Sequence, residues 1–289
     1  MFIAKTIEAL RRWRRESSGR VGFVPTMGAL HAGHLSLVAR GRPLCDRMVV
    51  SIFVNPTQFG PAEDFSRYPR TWDSDAAMCR EAGVDCIFAP EVEVMYPPPP
   101  EGGVDVALDV PALTGDLEGA LRPGHFAGVC RVVAKLFNMV QPDVAVFGQK
   151  DYQQLAVIRA MTHDLAMPIE IVGAPTMRED DGLAMSSRNR YLSDSERKQA
   201  VGLFKALTQG RYLIEQQGEV EPAAVEAAMG DIIMAHGFEL QYAAARHPRT
   251  LGVLECIEPA TTAGVVLLVA GRLGATRLID NVLAGAQPA

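Results

Sequence analysis

Two histidines three residues apart, His31 and His34, lie in the stretch VPTMGALHAGHLSL that runs from Val24 to Leu37. The stretch opens as an apolar run and closes with helical spacing, which puts both histidines at a strand-to-helix junction. Gly28 and Gly33 let the backbone approach a ligand there, and the amides and dipole of the following helix favour an anion. The two imidazoles can point to one side and hydrogen-bond a phosphate while the amides stay free. The pattern is neither G-x-G-x-x-G nor G-x-x-x-x-G-K-[ST], so the usual dinucleotide fingerprint and the Walker loop are both missing. A zinc site takes three or four ligands, and no Cys or Glu stands at ligand spacing from these two histidines. A phosphate cradle and an ordinary turn with locally satisfied histidines are the readings that remain.

A second polar motif, FGQKDYQQ at 147–154, also begins at a strand end and enters a helix. Gly148 permits close approach, Lys150 supplies a cation, and Asp151 can cap the helix amides or hold a ribose hydroxyl. A third, DGLAMSSRN at 181–189, offers the hydroxyls of Ser186 and Ser187 and the guanidinium of Arg188, a set suited to a polyphosphate, with Gly182 as a candidate hinge. Taken singly, each is an ordinary surface lysine or loop serine. Their common place beside predicted strand ends and domain boundaries favours a site.

The elements that must position these groups alternate. VGFVPT (21–26), MVVSIFVN (48–55), DCIFAP (85–90), VAVFG (144–148) and IEIVGAP (169–175) are short, apolar and rich in β-branched residues. They show little alternation, so both faces are expected to be buried, as in a parallel sheet. Helical patterns fall between them at Leu35–Arg40, Trp72–Ala82, His125–Val140 and Tyr152–Leu165. The βαβα order predicts an α/β, doubly wound, Rossmann-like parallel sheet, whose ligands bind at the carboxyl ends of the strands.

The texture changes after about Pro175. SDSERKQAVGLFKALTQGRYLIEQQ reads as one helix opened by a capping box, Ser193 with Glu196, and a second helix is expected around Glu221–His236. FELQYAAARH, GVVLLVAGRLG and ATRLIDNVL read as strands joined by Gly-containing turns. The expected domains are 1–175, a Rossmann-like unit, and 176–289, a smaller α+β unit with a small antiparallel sheet. YPPPPEGG (96–103) is expected to be a rigid loop or crossover.

The chain has 289 residues, 48% hydrophobic and 21% charged, enough for packed cores, and a net charge of −6 that argues against a general nucleic-acid-binding face. Five cysteines with no C-x-x-C pair fit free thiols in a reducing compartment. No apolar leader and no run of about 18 apolar residues is visible, so a cytoplasmic protein without a membrane role is expected. Ile3, Ile7, Leu10 and Trp13 recur among charged residues as one face of an N-terminal amphipathic helix.

H-x-G-H at the end of the first strand of such a sheet resembles the signature of the nucleotidylyltransferase superfamily. PTMGALHAGHLSLV as a whole is similar to the pantothenate synthetase (pantoate–β-alanine ligase) family. The resemblance continues in VNPTQFGPAEDFSRYPRT, in RPGHFAGVCRVVAKLFNMVQPDVAVFGQKDYQQL, in DGLAMSSRNRYLS and in the late TRLIDN, so it covers nearly the whole chain. It implies that ATP is held by Met27, Gly28, Ala29, Leu30, His31, Ala32, Gly33 and His34. To these it adds Gly148, Gln149, Lys150 and Asp151, then Met177, Met185, Ser186, Ser187 and Arg188. It further implies that Gln58 contacts pantoate and β-alanine and that Gln154 contacts pantoate, with Asn55 and Arg122 as weaker candidates. Neutral amides suit a carboxylate nucleophile, because an arginine clamp would lower its nucleophilicity. Many members carry Glu where this chain has Gln149, and the usual lysines of the superfamily's mobile loop are absent, leaving Arg188 beside the serines.

The resemblance implies a two-step ligation. Pantoate carboxylate attacks the α-phosphorus of ATP, giving pantoyl adenylate and pyrophosphate; the β-alanine amine then displaces AMP to give pantothenate. His34, beside His31, is the candidate catalytic donor at the phosphates, and the C-terminal unit is the candidate lid over a hydrolysable intermediate. Magnesium is expected on the phosphates; no protein ligand is assigned, although the acidic stretch 73–78 and Asp151 could supply one. A homodimer is expected from the family. Competing readings are another H-x-G-H nucleotidyl transferase, a relative of the tRNA ligases, and a nucleotide-sensing module without turnover.

Overall fold

The computed structural model describes residues 1–61, 63–98, 106–258 and 264–285. Pro99–Gly103 of the proline-rich stretch lie outside the described residues. The chain divides into two compact units, one of Met1–Gly148 with Gln153–Pro175, the other of Gln149–Tyr152 with Thr176–Ala289.

The first unit is a six-stranded, all-parallel sheet in the order β1-β4-β3-β2-β5-β6. Its strands are β1 (Phe2–Ala4), β2 (Val21–Thr26), β3 (Arg47–Ile52), β4 (Cys86–Phe88), β5 (Val144–Gly148) and β6 (Glu170–Ala174). The main helices between them are α1 (Ile7–Glu16), α2 (Ala32–Gly41) and α3 (Trp72–Glu81). Three single-turn helices follow, α4 (Val92–Met95), α5 (Pro111–Thr114) and α6 (Glu118–Leu121), and then α7 (His125–Val140) and α8 (Tyr152–Asp164). Val21, Gly22, Phe23 and Val24 are buried in succession, as a central parallel strand covered on both faces requires. On one face Val24, Val50 and Val146 pack with Leu37, Val38 and Cys79. On the other, Phe137 meets the edges of Phe23 and Phe147, with ring centroids 6.4 and 6.3 Å apart. Full burial of each such side chain contributes about 1.5–3 kcal/mol.

The N-terminus departs from the sequence expectation. Ile3 belongs to β1, which pairs with β4, and not to the amphipathic helix. Thr6 decides the boundary: its hydroxyl accepts the Ala9 N–H and starts α1 at Ile7. The residues before it are left extended to cover the otherwise open edge of β4.

The second unit holds α9 (Asp194–Ala200), α10 (Gly202–Gln217) and α11 (Pro222–Ala235) against an antiparallel sheet, β7 (Glu239–Arg246), β8 (Val265–Leu273) and β9 (Thr276–Ala284), in the order β7-β8-β9. Leu203, Leu207, Ile214, Met229, Ile233, Leu267 and Val269 form its core. The single helix expected after Ser193 is two, because it breaks at Val201–Gly202. Gly202 is buried so tightly against His236 that a Cβ there would overlap the imidazole's own Cβ, and glycine is a weak helix former. The capping box of Ser193 and Glu196 is present as expected.

Candidate active site

β2 ends at Thr26, and the turn that follows is unusual. Gly28 and the non-glycine Ala29 both take positive φ, 81° and 50°, a conformation that costs a non-glycine residue on the order of 1 kcal/mol. The turn is held from below by Asp75, on the first turn of α3 and 1% exposed. Its two carboxylate oxygens accept the N–H groups of Ala29 (3.0 Å) and Leu30 (2.8 Å), and the Thr71 hydroxyl donates to it at 3.0 Å. Asp75, within the acidic stretch 73–78, is thus engaged by three protein donors. Among the described residues no three His, Cys, Asp or Glu side chains are grouped as a metal site.

α2 then begins with His31 as its N-cap. His31 Nδ1 accepts the Gly33 N–H at 3.1 Å, and His34 Nδ1 accepts the His31 N–H at 3.3 Å, a reciprocal capping box built from two imidazoles. A backbone N–H only donates, so both Nδ1 atoms are acceptors and each neutral ring carries its proton on Nε2. The ring centroids are 4.2 Å apart. The turn therefore places two imidazoles at a helix N-terminus, where an anion is favoured by the dipole. Met27, Gly33 and His34 are half-buried, Ala32 exposed and Leu30 buried.

Beyond β3, Asn55 caps a short turn that carries Gln58. Asn55 is 1% exposed. Its Oδ1 accepts from Thr57 N–H and from the Tyr96 hydroxyl (2.9 Å), and its Nδ2 donates to Gly128 O (3.2 Å) and to Gln58 Oε1 (3.1 Å). The backbone partners fix which end of the Asn55 amide donates, and Asn55 in turn fixes Gln58 with its Nε2 turned to Met27 Sδ, 3.1 Å away. The Gln58 carbonyl oxygen accepts from His125 Nδ1 at 2.8 Å, His125 Nε2 accepts from Arg122 at 2.9 Å, and Arg122 grips both oxygens of Glu63 at 2.6 and 2.8 Å. Burial, then the neighbouring guanidinium, pushes the His125 imidazole down to about 4. A second proton on that ring would face an arginine N–H. Burial alone would raise the Glu63 carboxyl; Arg122 outweighs it and holds the group below its ordinary range.

In the YQQ run the two glutamines part company. Gln153 is 3% exposed and structural: it accepts from Glu118 N–H and donates to the carbonyls of Leu113 and Asp116. Gln154, the residue singled out from the sequence, is half-buried on the first turn of α8.

Gly148 ends β5 in the first unit; Gln149, Lys150 and Asp151 form a short helical turn that belongs to the second. There, Asn281 of β9 donates from Nδ2 to the carbonyl oxygens of Gln149 (2.9 Å) and Lys150 (2.8 Å). Next to it Asp280, 3% exposed, takes a bidentate pair from Arg178 at 2.6 and 3.0 Å. Burial pushes the Asp280 carboxyl up, and Arg178 offsets only part of that.

Arg178 opens a tight loop in which Met185 N–H donates to Met177 O and Glu179 N–H to Leu183 O. Gly182, the candidate hinge, is a packing element instead. Its φ is +93°, and a Cβ there would run into the Phe204 ring. Ser186 caps the next turn by accepting from Arg188 N–H at 3.2 Å. Ser187 and Arg188 are half-buried on that turn, and Met177 is exposed.

The whole chain can be set against known proteins. The family model described as pantoate-beta-alanine ligase matches residues 2–283. The chain belongs to the pantoate–β-alanine ligase family. It is 51% identical to the pantothenate synthetase of Rhizobium rhizogenes over 99% of this chain and 96% of that one. With the Pseudomonas fluorescens pantothenate synthetase it shares 51% over 98% of each. The solved pantothenate synthetase of Thermus thermophilus is 48% identical, with a TM-score of 0.91 over 99% of this chain and 100% of that one. The Francisella tularensis pantoate-beta-alanine ligase, solved complexed with beta-gamma ATP and beta-alanine, is 31% identical over all of both chains, with a TM-score of 0.79. The Rossmann-like parallel sheet and small antiparallel sheet are the fold that the resemblance implied.

Several residues that hold the candidate site's turns were not legible as such. His125 sits inside a quoted block and Asp75 in the acidic stretch 73–78, but nothing in their spacing tells a turn-holding carboxylate from a surface one. Asn281 stood in TRLIDN without a role until β9 brought it beside Gln149 and Lys150.

Proposed function

We propose that this chain condenses pantoate with β-alanine at the expense of ATP, through a pantoyl-adenylate intermediate, giving pantothenate, AMP and diphosphate. The observation that carries the reading is the capping box of His31 and His34, which sets two imidazoles at a helix N-terminus in a chain that matches the ligase family over residues 2–283. The beta-gamma ATP and beta-alanine of the Francisella relative support the nucleotide and the amine.

In the first step a pantoate carboxylate oxygen bonds to the α-phosphorus and the bond to the bridging oxygen of diphosphate breaks. Such a displacement needs positioning and charge neutralisation more than covalent help. His34, with His31, donates to the phosphate oxygens as negative charge grows on the leaving group. Lys150 and Arg188 supply cations, Ser186 and Ser187 hydroxyls, and the amides from Gly28 to His34 the dipole field. Gln58 and Gln154 orient pantoate with neutral amides and leave its carboxylate nucleophilic. In the second step the β-alanine nitrogen bonds to the acyl carbon, the acyl–oxygen bond to AMP breaks, and the ammonium proton is released. Magnesium enters on the nucleotide's phosphates, as such hard cations commonly do.

On this reading residues 1–175 bind ATP and pantoate, and 176–289 act as a lid that keeps water from the adenylate. The active form is a homodimer in the cytoplasm, open to light scattering and fractionation; among the described residues no helix is long and apolar enough to cross a membrane.

His34→Ala tests the reading. The cap at the His31 N–H is lost at a half-buried position, so the fold should persist while adenylate formation, read as diphosphate release with ATP and pantoate, falls about 10²–10³-fold. Near-normal turnover in the folded variant would end the donor role.

A further inference from the structure

The late RLIDN run is the motif that the reading above leaves without a task. We propose that Asn281 is a positioning residue for Lys150: its side-chain amide, anchored on β9, sets the turn that carries the phosphate-binding cation. The proposal rests on the reading of Lys150 as a ligand of the ATP phosphates.

The geometry is specific to an amide. Nδ2 of Asn281 carries two hydrogens and gives one to Gln149 O and one to Lys150 O, at 2.9 and 2.8 Å. Two consecutive carbonyls that converge on one point need two donors on one atom, which a hydroxyl lacks and a carboxylate opposes. Asn281 is 6% exposed, so water cannot readily replace it. Its own position is doubly fixed. Its N–H donates to Asp280 Oδ1 at 2.7 Å, and its carbonyl accepts from Arg178 at 3.1 Å. Arg178 also donates to Gly182 O at 3.0 Å, with its guanidinium 4.2 Å from the Phe204 ring centroid. Asp280 and Asn281 thereby tie two separate segments, the Gln149–Asp151 turn and the loop entered at Arg178, to one strand.

The test is a double-mutant cycle in the full-length enzyme between Asn281→Ala and Lys150→Met, read as kcat/KM for ATP in diphosphate release, with the KM for pantoate alongside. Asn281→Ala should lower kcat/KM for ATP about 10–100-fold and move the pantoate KM less than about twofold. Asn281→Ser, which keeps one donor, should fall between. In the Lys150→Met background Asn281→Ala should cost almost nothing further, because the residue it positions has gone. Thermal unfolding of each variant fixes an assay temperature at which all are folded. A full additional loss in the Lys150→Met background, or a silent Asn281→Ala, overturns the proposal while leaving Lys150 in place. A silent Lys150→Met overturns the reading of Lys150, and the proposal with it.

Discussion

Replacing Asp75 by Asn tests whether one buried carboxylate holds the phosphate-binding turn. The change keeps volume and shape but turns one acceptor oxygen into a donor. In the native turn the carboxylate takes the N–H groups of Ala29 and Leu30 and the Thr71 hydroxyl. The hydroxyl can reverse and accept from the new amide; a backbone N–H cannot. Whichever way the amide lies, one buried N–H faces a donor, at a cost of about 1–3 kcal/mol. That cost falls on a turn already carrying Ala29 at φ 50°. Relief comes by letting the turn relax, which dilutes the competent geometry about 5–150-fold at 1.36 kcal/mol per decade. Diphosphate release should fall by that factor, and the melting temperature by about 2–4 °C per kcal/mol lost. Asp73→Asn, two residues away on the exposed face of α3, is the control and should change neither. Wild-type turnover and melting in Asp75→Asn would refute the claim that this carboxylate organises the H-x-G-H turn.

Two further outcomes are expected. The His125 imidazole sits at about 4 in the folded chain against an ordinary value near 6.5, so the unfolded chain binds the extra proton first. Its contribution is full above about pH 6.5 and is lost as pH falls toward 4, by up to about 3 kcal/mol. Urea unfolding at pH 7 and pH 5 should show that slope, and His125→Asn, which keeps a donor for Gln58 O, should flatten it. Gly128 packs so closely on Thr57 that an added Cβ would overlap its carbonyl; Gly128→Ala should displace the Asn55–Gln58 turn and raise the KM for pantoate more than that for ATP in steady-state assays.

Much of the architecture was legible before any coordinate. Apolar runs without alternation announced buried parallel strands, and His125–Val140 agrees with the sequence to the residue. The failures were local: Phe2–Ala4 became an edge strand because a neighbour's open edge was there to be covered, and the helix expected after Ser193 is interrupted at Val201–Gly202, where the glycine packs directly on His236. Both depend on partners far along the chain, which periodicity does not register.

The site divides in the same way. The types and spacing of His31, His34, Lys150 and Gln58 are properties of the sequence, and they pointed to phosphate and carboxylate chemistry. Which end of Gln58 donates, through an Asn55 fixed by Gly128, and why Gln153 is structural while its neighbour is not were decided only by tertiary structure. A hydrogen bond's direction is set by the partner, and Asp75 lies about 45 residues from the turn it holds, Asn281 about 130 from the turn it anchors. Local sequence specifies which groups can act; the folded chain specifies, through donors and acceptors brought from afar, which way each of them faces.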